Sequence, residues 1–101
     1  MGKTNDAGES TDMSVEETLK QRGTRYGKFP EHANLSQGLK FIFDEHVKNV
    51  GQPENFTNSM NEAVEMIMHK LARIANGDPT YDDNWRDIAG YAQLIVDEIN
   101  D

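Results

Sequence analysis

Two apolar stripes separated by a very short link constrain this chain more than any other feature. Met60, Val64, Ile67, Met68, Leu71 and Ile74 recur at helical spacing, and so do Trp85, Ile88, Ala92, Ile95 and Ile99. Between them, Asn76-Gly77 predicts a left-handed helix stop and Asp78-Pro79 blocks continuation. A link this short makes the two helices antiparallel neighbours. Thr57 or Asn58 is placed to cap the first of them, and Asp82 or Asp83 the second.

Upstream, Ser14-Val15-Glu16-Glu17 has the form of a capping box, predicting a short helix that ends near Gly23. Arg22 to Pro30 reads as an irregular loop, with Gly23 and Gly27 in left-handed turns. A further helix is expected from Glu31 to Val50, its apolar face carrying Leu35, Leu39, Ile42, Phe43, His46, Val47 and Val50. Phe56 is expected to plug the bundle end. The predicted fold is therefore all-α: a small bundle of about four helices in one domain over 14–101, behind a disordered tail over 1–13 that is polar and lacks periodicity.

Composition narrows the chemistry. The 101 residues include no cysteine, so a disulfide scaffold, a thiolate metal site and a thiol nucleophile are excluded. No apolar run approaches a membrane span and no signal-like stretch opens the sequence, so the expected location is cytoplasmic. The formal charge of −8 argues against direct nucleic-acid binding, which needs basic residues on the phosphates. Such a chain could instead bind a metal–nucleotide complex or a basic protein surface.

Two polar groupings are candidate sites. Glu62 and Glu65 share a face of one predicted helix, and Asp83 and Asp87 a face of the next. If the four converged they would need a hard cation such as Mg²⁺ between them, as in sites that hold a nucleoside triphosphate. Otherwise the carboxylates are solvated and Asp87 pairs with Lys70 or Arg73. The second grouping is the Arg22–Phe29 stretch. Arg22, Arg25 and Lys28 could hold phosphates while Tyr26 or Phe29 stacks on a base. Alternatively, the aromatics cover the bundle end and the cations pair with surface acids. Trp85 is read as a core anchor. Gly90, costly inside a helix, implies close approach of a neighbouring backbone or a ligand.

R-G-T-R-Y-G-K-F (Arg22–Phe29) together with K-L-A-R-I-A-N-G-D-P…D-N-W-R-D-I-A-G-Y-A (Lys70–Ala92) resembles a family of small phage and prophage proteins. It is also distantly similar to phage domains associated with nucleotide modification, which carry a Y-G-D/S-F loop and a D-x-x-x-D-L-A-x-Y helix. The resemblance implies a phage origin. More loosely, Glu62-x-x-Glu65 resembles the E-x-x-E half of MazG-type all-α nucleotide pyrophosphohydrolases, which hold magnesium between E-x-x-E and E-x-x-D. In the second half Asn84 stands where those enzymes have Glu, with Asp87 in place and Asp83 one residue earlier. The expected function is magnesium-dependent nucleotide binding or hydrolysis. The alternative is a non-enzymatic acidic accessory protein that modulates a host or defence protein. A homodimer would bury apolar surface that so small a core leaves over.

Overall fold

The computed structural model describes residues 14–101; the expected tail over 1–13 lies outside the described residues. Among the described residues the chain forms four α-helices: α1 (Val15–Tyr26), α2 (Phe29–Val50), α3 (Asn58–Asn76) and α4 (Asp82–Ile99). A 3₁₀ turn at Pro53–Asn55 joins α2 to α3. No strand is present among these residues, and no helix is long and apolar enough to cross a membrane.

The helix starts follow local chemistry. The Ser14 Oγ accepts from the Glu17 N–H at 3.1 Å, and the Glu17 carboxylate accepts from the Ser14 N–H at 3.2 Å, completing the capping box. Helix α1 does not stop at Gly23. That glycine is helical, its carbonyl accepts from the Gly27 N–H, and the reversal falls at Gly27, where φ is +77°. Pro30 then sits in the first turn of α2, where its missing N–H costs nothing. The expected loop over Arg22–Pro30 thus reduces to Gly27-Lys28. Thr57 caps α3 through a 3.1 Å bond from the Met60 N–H. Asp82 and Asp83 do not cap α4. They lie inside its first turn, where their charge still favours the positive helix end, and Tyr81 takes the cap position.

Helix α3 is central. It packs against α2 on one side and α4 on the other, while α1 lies across its C-terminal end. The result is an open layer with extents of 54 × 32 × 25 Å. The buried apolar residues are small or few: Ala63, Met68 and Ala72. Met60, Val64, Ile67 and Ile74 are half-buried, and Leu71 is exposed. On α4 the row facing α3 is Asn84, Ile88, Tyr91 and Ile95, not the expected row through Trp85, Ala92 and Ile99, which are exposed. On α2, His32 and Ser36 are buried, whereas Leu35, Ile42 and Val50 face outward. Each apolar stripe therefore exists, but this chain covers only its edge.

Candidate functional site at the α1–α2 elbow

The two sequence segments singled out above meet in space. The Asn76 side-chain amide donates to the carbonyls of Tyr26 (3.1 Å) and Lys28 (3.2 Å), and the Asp78 N–H donates to the Arg25 carbonyl at 2.6 Å. A Cβ on Gly77 would run into the backbone of Arg25 and Tyr26, and one on Gly27 into Asn76. Gly77 is therefore required for close approach. Its φ of −128° is not the left-handed stop expected from the sequence. The Asp78 carboxylate accepts from the Thr80 N–H (2.9 Å) and hydroxyl (2.6 Å), which lowers its pKa and shapes the turn into α4. The Trp85 indole N–H donates to the Pro79 carbonyl at 2.8 Å. Trp85 is thus a brace for the turn with half its surface exposed, rather than a core anchor.

Four side chains stack across this joint. The Arg73 guanidinium lies 4.2 Å over the Tyr26 ring, Tyr26 meets Tyr81 edge-on at 6.1 Å, and the Arg25 guanidinium lies 4.6 Å over Tyr81. Beside the stack, at the elbow itself, is a groove of about 460 Å³. Arg22, Tyr26, Lys28, Phe29, His32 and Arg73 supply its functional lining. Of the residues expected near phosphates, Arg22, Tyr26 and Lys28 are brought together here, and Arg25 is committed to Tyr81 instead. Arg73 and His32 are additions that the sequence did not single out as ligand-facing. The buried Nε of Arg73 and Nδ1 of His32 have no hydrogen-bond partner among the described residues, and both are enclosed behind the groove wall. No ion pair among the described residues involves Arg22, Lys28 or Arg73.

The acidic set is arranged differently. Asp87 pairs with the mostly buried Lys70 at 3.0 Å, and Asp83 accepts from the Tyr81 hydroxyl at 2.8 Å. With Asp87 level with Lys70, antiparallel packing puts Asp83 level with Ile74. At the 1.5 Å rise of an α-helix, Glu65 and Glu62 then lie about 13 and 18 Å further along the axis than Asp83, and about 7 and 12 Å further than Asp87. Consistent with this register, Glu62 shares a shallow groove with Ile95 and Glu98. Among the described residues no group of three or more His, Asp or Glu side chains could hold a metal ion. In this register Glu62 and Glu65 stand apart from Asp83 and Asp87 along the helix pair.

Residues 13–99 match the profile of a family described as a domain of unknown function, DUF6378. The chain belongs to this family. No curated protein and no solved structure matches it.

The remaining chemistry of this DUF6378 chain is electrostatic. His32 lies between Phe29 (5.1 Å) and His69 (5.6 Å), both edge-on. Burial, reinforced by the Arg73 charge, lowers the His32 pKa. Burial lowers that of His69 to about 4, with Arg73, His32, Lys70 and Lys40 adding to the shift. Burial first, and nearby cations second, thus disfavour the charged form of both imidazoles. Three of the ten Lys and Arg residues of this acidic chain, Arg22, Lys28 and Arg73, line one groove.

Proposed function

We propose that this DUF6378 chain binds a phosphorylated, planar ligand of the nucleotide class in the elbow groove, without a protein-held magnesium ion. The observation that carries the reading is the convergence of Arg22, Lys28 and Arg73 beside Tyr26 and Phe29. Guanidinium and ammonium groups would take the phosphate oxygens through charge-assisted bonds. The aromatic rings offer faces or edges to a base. Any Mg²⁺ would arrive in the ligand's own phosphate shell, where that ion normally keeps water. The similarity of Arg22–Phe29 and Lys70–Ala92 to phage proteins supports a phage setting for this activity.

The test is isothermal titration with a nucleoside triphosphate, comparing the parent with Arg22→Gln and Lys28→Gln, both at exposed positions. Each substitution is expected to weaken binding about tenfold, the loss of one charged hydrogen bond. No binding by the parent at millimolar nucleotide, or binding indifferent to both substitutions, would overturn the proposal. A second reading rests on the −8 charge: an accessory protein that docks on a basic host protein. It calls for salt-sensitive binding to that partner and no response to nucleotides.

A further inference from the structure

The open side of the helix layer is apolar across all three long helices. On α3 and α4 it is a groove walled by Met60, Val64, Ile67, Ala92, Ile95 and Ile99, with Phe56 at one end. The same side extends to both flanks. Helices α2 and α4 run antiparallel to α3, so right-handed winding carries Leu35 and Ile42 to the side occupied by Met60, Val64 and Ile67. Trp85 and Val96 reach that side from α4. These flanking residues are exposed: Ile42 by 68%, Trp85 by 50%, Val96 by 49% and Ile99 by 63%. The α3 and α4 positions on this side include no Asp, Glu, Lys or Arg, while on α2 Glu31 and Glu45 flank Leu35 and Ile42.

We infer that this face is the interface with a second copy of the chain. The area fits that occupant. A compact protein of 11.4 kDa exposes about 5,800 Å². Residues 14–101 alone expose 7061 Å². The excess of about 1,300 Å² per chain becomes about 2,600 Å² over two copies, within the range of obligate homodimers. The segment outside the described residues is a poor alternative cover, since M-G-K-T-N-D-A-G-E-S-T-D-M offers only Met1, Ala7 and Met13 as apolar side chains. Charge agrees as well. Two copies at −8 each repel, and a contact centred on the uncharged α3–α4 groove keeps most of their carboxylates apart. The interface would be isologous, with each copy covering the other's α3 groove. It leaves the elbow groove open, and it stands whether or not a nucleotide binds there.

The experiment is analytical ultracentrifugation of the full chain from 5 to 200 µM, beside the double variant Ile42→Lys/Val96→Lys and the control Phe41→Lys. Phe41 is 67% exposed and faces away from α3, about 100° around α2 from Ile42. The parent and the control are expected at twice 11.4 kDa, and the double variant at 11.4 kDa with its helicity retained. Isotope-filtered NMR on a mixed-label sample should give contacts between copies at the methyls of Ile67, Ile95 and Ile99. A parent at 11.4 kDa throughout overturns the inference. So does a dimer whose intermolecular contacts avoid those methyls, or one unmoved by the double substitution. A parent that self-associates only with another protein bound would assign the face to that protein instead.

Discussion

Gly77→Ala probes the joint on which the candidate site depends. The new methyl would enter the backbone of Arg25 and Tyr26, so α1 must move off the end of α3. That movement breaks the two Asn76 bonds and the Asp78–Arg25 bond, about 3 kcal/mol at about 1 kcal/mol each. It also separates Arg73 from Tyr26 and Arg25 from Tyr81, worth about 0.5–1 kcal/mol apiece near the surface. The docking lost is therefore on the order of 4 kcal/mol, enough to release α1 while α3 and α4 stay paired. Hydrogen exchange is the direct assay. Amides of α1 should lose protection by two to three orders of magnitude, while those in the middle of α3 change far less. The elbow groove, half of which comes from α1, should lose its ligand. Retained α1 protection with a chemical-denaturation midpoint near the parent's would refute this reasoning.

Other outcomes follow from particular residues. Gly90 and Gly38 have no neighbouring atom where a Cβ would stand, so alanine at either should stabilise by up to about 1 kcal/mol in thermal melts. Asp87→Ala leaves a nearly buried ammonium without its partner and should cost about 2 kcal/mol, scaled down because Asp87 is half exposed, whereas Lys70→Met should stay within about 1 kcal/mol of the parent by urea denaturation. The His69 pKa is depressed from 6.5 to about 4, so the unfolded chain binds the extra proton first as pH falls. Its contribution is complete above about pH 6.5 and shrinks toward pH 4. The melting temperature should therefore fall between pH 7 and 4.5 more steeply for the parent than for His69→Gln, and parallel slopes would contradict the assignment. Trp85→Phe removes the indole donor to Pro79 and should cost about 1 kcal/mol of stability.

Helix identity was legible in the sequence because it depends on local chemistry. The Ser14–Glu17 box, the Thr57 cap and the Pro53 and Pro79 breaks each act within a few residues. The end of α1 was less legible. Gly23 and Gly27 look alike as letters, and only the docking of Asn76 against Gly27 decides which one turns. Stripe direction was misread for a related reason. Periodicity marks an apolar face, but it does not reveal whether the same chain covers it. Trp85, Ala92 and Ile99 form a true stripe that lies beside the α3 contact, on the open side, and stays exposed. Gly90 was expected to mark close packing and faces open space.

The site was half legible. Arg22, Tyr26 and Lys28 are contiguous enough for the elbow to gather them. Arg73 and His32 reach the groove from helices whose rotation depends on tertiary packing, and Arg25 turns away for the same reason. The spacing of Glu62, Glu65, Asp83 and Asp87 gave their helix faces but not the register. The Lys70–Asp87 pair sets that register and separates them.

The claim that the elbow groove, and not the carboxylates, is the functional centre is tested most directly by amide and side-chain NMR during a nucleoside triphosphate titration, run once in EDTA and once with Mg²⁺. Saturable shifts at Arg22, Tyr26, Lys28, His32 and Arg73 are expected in both, with Glu62, Glu65 and Asp87 little affected. Shifts that require Mg²⁺ and centre on Glu62, Glu65, Asp83 and Asp87 would contradict it.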